Sequence, residues 1–266
     1  MAVRRSNRAI TERHEVTLAD FASALMDLSA DTESVNGLVY GDSNVGKTHL
    51  AGTLPGKVLW LVAEPGFKTA PRNGAVGKAY RISNTAQALA AVDYLYSSKA
   101  NYDWVVVDGL STMQDRIRLA YAQEAFDVDP SKRQHRNLPD RPDYYNTQNF
   151  LLSWIPALID APPNMLITAH AYRTDKTDDG ELMVFPGIQG KVNQTSNSVS
   201  GLMDFTGYME IGKIKREGAA RRARLLHFTP PNDNPDVRYI CGSKFPGLQG
   251  KLVNPTMRKV MEGINA

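Results

Sequence analysis

Eight residues constrain this chain more than any other feature of its sequence. They read Gly41-Asp-Ser-Asn-Val-Gly46-Lys47-Thr48, which is the spacing of glycines, lysine and hydroxyl residue in a P-loop. The two glycines allow a tight turn in which successive backbone N–H groups point at phosphate oxygens, and the next helix adds its positive N-terminal end. The segment 38–40 before the motif is typical of a buried strand, and a short helix is predicted over 48–54. The alternative is a glycine-rich turn that contains a lysine by chance.

The P-loop motif predicts a role for each of its residues. We expect Lys47 to reach the β- and γ-phosphates of ATP, and Thr48 to offer its hydroxyl to Mg²⁺. ATP and Mg²⁺ are therefore the expected cofactors. The predicted nucleotide-binding residues are Gly41, Asp42, Ser43, Asn44, Val45, Gly46, Lys47, Thr48 and His49.

Length and composition favour one α/β domain with additions. The chain has 266 residues, of which 42% are hydrophobic, so it can bury a full core. Residues 1–34 are expected to form a basic N-terminal arm and a helix beginning near Thr17, and residues 35–266 the nucleotide-binding domain. The single cysteine, Cys241, excludes an internal disulfide and a cysteine-rich metal site.

Hydropathy and charge give weaker predictions. The chain has no apolar run long enough to span a bilayer and no apolar core of a secretory signal. We therefore expect a cytoplasmic protein without a membrane partner. The net charge of +3 permits nucleic acid as a partner without arguing for it, so any such site must follow from where the charge lies.

Carboxylates follow two predicted buried strands. The apolar run 57–63 ends at Glu64, and Trp104-Val-Val-Val ends at Asp108. The second pattern is the form of a Walker B strand, whose carboxylate holds Mg²⁺. Many P-loop motors place a catalytic glutamate directly after that aspartate, but this chain has Gly109 there. If the two strands are neighbours in a parallel sheet, Glu64 comes up beside the γ-phosphate. A solvated loop acid is the alternative for Glu64.

The other predicted elements follow from hydrophobic periodicity and from turn residues. Asn84 or Thr85 is expected to cap a helix that buries Ala88, Leu89, Val92 and Leu95. Further predictions are an outer strand at 79–82, a helix over 112–125, a basic loop over 129–142, a helix opened by Pro142, a strand over 164–170, a polar loop over 171–190, a hairpin of 205–211 with 222–228, a strand over 238–241, and a last helix opened by Asn254-Pro255.

This order of parts resembles the RecA-like recombinase core from about residue 35 to about residue 246. It is most similar to the short phage-encoded RecA-like proteins that act as single-strand annealing recombinases. The resemblance implies an α/β P-loop NTPase core with a mostly parallel central sheet, helices on both faces and antiparallel strands toward the C-terminus. It implies an ATPase, stimulated by single-stranded DNA, in recombination, annealing or repair. For a phage-encoded protein the location is the cytoplasm of the host cell.

The resemblance also implies catalytic roles. Glu64 matches the glutamate that polarises water, and Asp108 matches the Mg²⁺ carboxylate. His170 stands where the family has a glutamine that senses the γ-phosphate, and an imidazole N–H can make the same hydrogen bond. Family members complete the site with a cation from a neighbouring subunit. The candidate here is Lys244, with Arg222 or Arg224 behind it, and ordinary surface charges are the alternative for all three.

Two segments match the loops that hold single-stranded DNA in the family. They are residues 129–142 and 171–191, and each offers cations for phosphates. The expected partners are single-stranded DNA, further copies of the chain and a single-strand DNA-binding protein. A solvated basic loop is the alternative for the first segment. The predicted DNA-binding residues are Lys132, Arg133, Arg136, Arg141, Tyr172 and Arg173, with Tyr172 stacking on bases.

Two other functional classes also account for a P-loop. One is a nucleotide-dependent scaffold or switch that binds ATP but hardly hydrolyses it. The other is a small-molecule kinase, in which residues 129–142 would be an arginine-containing lid over the phosphates. Stimulation of ATP hydrolysis by single-stranded DNA would exclude both classes.

Overall fold

The computed structural model describes residues 34–97, 99–161, 163–174, 182–190, 195–216, 219–231 and 236–266. The predicted arm and helix of residues 1–34 lie outside the described residues, apart from Ser34. The strands are β1 Asn36–Gly41, β2 Lys57–Val62, β3 Val76–Arg81, β4 Trp104–Asp108, β5 Asn164–Arg173, β6 Leu182–Pro186, β7 Phe205–Arg216, β8 Ala219–His227, β9 Val237–Tyr239, β10 Gly242–Ser243 and β11 Lys251–Val253. The α-helices are α1 Lys47–Ala51, α2 Thr85–Tyr96, α3 Leu110–Val128, α4 Arg141–Ile159, α5 Thr195–Leu202 and α6 Met257–Ile264, with 3₁₀ helices at Pro65–Asn73 and Pro130–Lys132.

A mostly parallel sheet carries the fold. Its main path runs β11-β8-β7-β1-β5-β4-β2-β3. The six strands from β7 to β3 along this path are mutually parallel, whereas β8 and β11 are antiparallel to their neighbours. The predicted α/β class, with antiparallel strands toward the C-terminus, is confirmed. None of the described helices is long and apolar enough to cross a lipid bilayer.

Helices cover both faces of this sheet. Leu38 and Tyr40 of β1 point to the face covered by α3 and α4, while Val39 points to the face covered by α1 and α6. Every residue of β1 and of β4 is buried, as expected for parallel strands enclosed on both faces. The continuous apolar runs in the sequence of β1 and β4 are therefore explained by the central position of these two strands in the sheet.

Two helix predictions need correction. Asn84 caps α2 as predicted, its side chain accepting from the N–H of Gln87, but Leu89 is 53% exposed and Ala91 is buried in its place. The last helix starts at Met257 with Thr256 as its cap, not at Asn254-Pro255. Asn254 has a φ of 46°, so its left-handed backbone belongs to the turn before the helix.

The predicted polar loop over 171–190 is partly a strand. β5 continues to Arg173 and pairs antiparallel with β6, so that Tyr172 lies opposite Phe185. Residues 175–181 and 191 of the predicted DNA-binding segment lie outside the described residues. The segment before α4 is irregular as predicted, with one short 3₁₀ turn, and Pro142 sits in the first turn of α4. Tyr172 and Arg173 are therefore strand residues and not loop residues.

Candidate functional site

The P-loop joins the end of β1 to the start of α1. Asn44 and Gly46 have left-handed backbones, with φ of 64° and 107°, which produces the tight turn that the motif predicts. The ammonium of Lys47 donates to the carbonyls of Gly41 at 2.9 Å and Asp42 at 2.8 Å. Burial lowers the pKa of Lys47, with nearby carboxylates acting in the opposite direction. The lysine is thus held inside the loop at the predicted phosphate position.

Two hydroxyl groups and a carboxylate, those of Thr48, Thr168 and Asp108, cluster beside the P-loop and are called the corner below. The Thr48 hydroxyl donates to both oxygens of Asp108, at 3.1 and 3.2 Å, and the Thr168 hydroxyl donates to one of them at 2.8 Å. Asp108 is 3% exposed, and its burial raises the pKa of this carboxyl against the lowering effect of the two threonine hydrogen bonds. Sequence reasoning missed Thr168, although its signal was a single polar residue inside the apolar β5.

This corner fits Mg²⁺. Thr48 and Asp108 would hold the ion, since their hydroxyl and carboxylate oxygens are the hard ligands it prefers. Among the described residues there is no group of three His, Cys, Asp or Glu side chains able to hold a metal. An ion held at Thr48 and Asp108 would be completed by phosphates and water.

The carboxylate of Glu64 faces the same corner from the end of β2. It accepts a hydrogen bond from the Thr112 hydroxyl, and Nε2 of His170 lies 3.3 Å from its Oε1. β2 and β4 are parallel neighbours, with Val62 opposite Asp108, as the assignment of Glu64 required. Thr112, in the first turn of α3, was predicted only as a helix start. The two neighbours hold the Glu64 carboxylate in one place.

Gly109 makes room for Glu64. A Cβ built on Gly109 would lie 3.0 Å from Oε1 of Glu64, and the residue has a φ of 83°. A side chain after Asp108 would thus be strained and would press on the carboxylate. The glycine after the Walker B strand and the glutamate after β2 are parts of one arrangement.

A cavity of about 510 Å³ brings these groups together. Its size is in the usual range for small-molecule sites. Residues without a predicted role also line it, among them Thr69, Arg72 and Asn73 of the first 3₁₀ helix. Arg224 of β8, predicted only as a second candidate for the cation from a neighbouring subunit, lines it as well. The predicted residues that line it are Ser43, Asn44, Gly46, Lys47, Thr48, His49, Glu64, Asp108 and His170.

Arg224 lies in the cavity of its own chain. A Cβ built on Gly46 would be 2.5 Å from its Nε, so the arginine packs on the bare backbone of the P-loop. Burial, and then the charge of Arg224, lower the pKa of His49. Lys244 lies at the other edge of the sheet, where β10 pairs with the start of β7, and contacts Asp204 at 3.3 Å. The contact of Lys244 with a neighbouring subunit stays a prediction.

Most of the predicted DNA-binding cations have acidic partners within the chain. Three of them form two hydrogen bonds to one carboxylate each: Arg136 to Asp127, Arg173 to Asp42 and Arg133 to Asp143. Lys132 forms an exposed pair with Asp129. Tyr172 is 59% exposed, and Arg141 is exposed at the start of α4.

Arg133 is the most enclosed of these cations. Its side chain is 11% exposed and donates to both oxygens of Asp143, which is itself 1% exposed, at 2.5 and 3.0 Å. Asp143 also accepts from the N–H of Asp140 at the start of α4. The guanidinium of Arg133 therefore faces the protein, and in this arrangement it is not presented to a phosphate backbone.

We expect Arg133→Gln to lower the melting temperature by several degrees, because Asp143 would stay buried without its cationic partner. Arg136→Gln is the matched control, since its pair with Asp127 is exposed and such pairs contribute little. Thermal unfolding followed by circular dichroism measures both. Equal melting temperatures for the two variants would show that the Arg133 pair is not structural.

Three comparisons place the chain among known proteins. No curated protein matches its sequence. A solved structure of a KaiC-like protein from the archaeon Pyrococcus horikoshii is similar with 12% identity and a TM-score of 0.39, over 83% of this chain and 89% of that one. A family model described as an AAA domain, AAA_24, matches residues 33–235, which is more than half of the chain. The chain, with its nucleotide-binding P-loop ATPase-like fold, therefore belongs to the AAA_24 family of AAA domains.

Proposed function

We propose that this protein hydrolyses ATP to ADP and phosphate, with Glu64 as the residue that activates water. One observation carries the proposal: the Glu64 carboxylate, held by Thr112 and His170, lines the same cavity as Lys47, Thr48 and Asp108. A positioned carboxylate beside a phosphate-binding lysine is the arrangement that in-line attack of water requires.

Each residue of the site has its own role in the proposed hydrolysis. Lys47 and the N–H groups of the P-loop bind the β- and γ-phosphates. Mg²⁺ bound at Thr48 and Asp108 would supply positive charge against the phosphate oxygens. Glu64 accepts the proton of the attacking water, whose oxygen bonds to the γ-phosphorus while the bond to the bridging oxygen breaks and ADP leaves with that electron pair. His170 can hold Glu64 in place through Nε2, or donate to the γ-phosphate.

Release of phosphate by the purified protein tests the proposal. We expect ATP turnover with Mg²⁺, and loss of turnover on chelation with EDTA, because Asp108 and Thr48 provide only part of a metal's coordination shell. Asp108→Asn should likewise lose turnover. ATP binding without phosphate release would instead support the nucleotide-dependent scaffold, and release only with an added acceptor would support the kinase.

Three predictions remain. They are action on single-stranded DNA in recombination, annealing or repair, closeness to phage annealing recombinases, and assembly of several copies. Their support is the resemblance in motif order. The internal ion pairs of Arg133, Arg136 and Arg173 weaken the part of it that named these cations as DNA contacts. Measuring phosphate release with and without an oligonucleotide tests stimulation directly.

A further inference from the structure

Residues 211–224, which include the end of β7 and most of β8, concentrate the positive charge of the chain. From Ile211 to Arg224 the sequence has six basic residues and one acid. The whole chain has 31 basic and 28 acidic residues, so the rest of it carries more acids than bases. Of these six cations, the sequence predicted a role only for Arg222 and Arg224, as candidates for the cation from a neighbouring subunit.

These residues form a two-stranded ribbon that extends beyond the sheet. β1 pairs with β7 only as far as Met209, and β11 pairs with β8 only from Leu225 onward. Residues 211–216 and 219–224 pair with each other and with no other described strand. The ribbon, defined as residues 211–216 and 219–224, extends by about 20 Å at six residues per strand. It leaves the sheet at the edge that carries the P-loop.

Four of the six cations in this segment share one face of the ribbon, whereas Arg221, opposite Ile214, lies on the other. Lys213 lies directly opposite Arg222, and the next positions on the same face are Lys215 on one strand and Arg224 on the other. Opposite residues of an antiparallel pair point to the same side. All four side chains are exposed, while Glu210 lies at the alternate position that points to the other face. Lysines that only prevent edge-to-edge pairing would not need to share a face.

No described acid neutralises most of this face. Lys213, Lys215 and Arg222 form no ion pair within the described part of the chain, in contrast to Arg133, Arg136 and Arg173. Arg224, at the base of the same face, packs on Gly46 of the P-loop. The cationic face therefore begins at the rim of the nucleotide cavity and continues outward for the length of the ribbon.

We propose that this face binds the phosphate backbone of a single-stranded nucleic acid. Cations two residues apart on a strand are about 7 Å apart, and a flexible polyanion can follow such a line and place one phosphate on each. Residues 211–224 contain no aromatic side chain. They therefore lack the aromatic anchors that are common in protein interfaces and in membrane-inserted segments. The site is separate from residues 129–142 and 171–191, and binding there does not depend on ATP hydrolysis.

Fluorescence anisotropy of a fluorescein-labelled oligothymidylate, at several salt concentrations, tests the proposal. The Lys213→Gln, Lys215→Gln double variant should bind more weakly. It should flatten the slope of log K against log salt by about one and a half units, since each phosphate contact on a single strand contributes about 0.7. The matched control is Lys57→Gln with Lys78→Gln, two exposed lysines of β2 and β3, which should leave the slope unchanged.

Three outcomes would overturn the proposal. The first is a wild-type slope in the Lys213, Lys215 variant while its melting temperature and its affinity for a fluorescent ATP analogue are also those of the wild type. The second is tighter binding of a labelled duplex than of the oligothymidylate. The third is binding to vesicles of phosphatidylserine and phosphatidylcholine that the double variant loses, without any oligonucleotide binding, which would assign the face to an anionic lipid surface.

Discussion

Glu64→Gln is expected to lower ATP hydrolysis by about two to four orders of magnitude, the usual contribution of a positioned general base. ATP binding should survive, because the amide has the size of the carboxylate and its oxygen can still accept from Thr112. Phosphate release measures turnover, and a fluorescent ATP analogue measures affinity. The physical reason is that the amide cannot accept the proton of the attacking water at neutral pH.

Glu124→Gln is the matched control for this variant. Glu124 is exposed on α3. The Glu124→Gln protein should therefore turn over ATP at the wild-type rate. If Glu64→Gln keeps hydrolysis while Asp108→Asn alone removes it, the residue that orients water lies elsewhere in the cavity.

Lys47→Ala should weaken ATP binding at least about a hundredfold while the fold remains. The lysine would contact the β- and γ-phosphates, and charge-assisted hydrogen bonds of this kind contribute about 1.5–3 kcal/mol each. Removing the side chain also leaves the carbonyls of Gly41 and Asp42 without their donor, so the melting temperature must be measured on the same sample. Lys57→Ala, an exposed lysine on the same sheet, is the control. Wild-type affinity in a folded Lys47→Ala protein would show that the loop does not bind phosphate through this lysine.

The parts of the site that local sequence determines were predictable. The P-loop depends on spacing within eight residues, and Asp108 and Glu64 follow apolar runs whose burial in a parallel sheet is visible in composition. Thr168 and Thr112 had no predicted role in the site, and Arg224 was named only as a second candidate for a cation from a neighbouring subunit. Their contacts in this site depend on the order and register of strands that are distant in the sequence.

The DNA-binding predictions show a different limit. Between residues 132 and 141 the cations outnumber the acids, which favoured an open basic loop. The carboxylates that pair with Arg136 and Arg133 are Asp127 and Asp143, just outside that window, on α3 and α4. Charge density along the chain therefore does not tell whether a cation is free. The packing of the helices decides whether a cation has an acidic partner. Among the described residues, the cations of the β7–β8 ribbon are less neutralised than those between residues 132 and 141.

The close approach of Gly109 to Glu64 restricts how this chain can evolve. A glutamate directly after the Walker B aspartate would need a left-handed backbone and would meet the carboxylate that already occupies the space. Within this backbone an acid at position 109 would therefore require a strained conformation there and a shift of the Glu64 carboxylate. Replacing Gly109 by Glu alone would crowd the two carboxylates, and replacing Glu64 alone would remove the acid from the site. Moving the acid from position 64 to position 109 would therefore require substitutions at both positions.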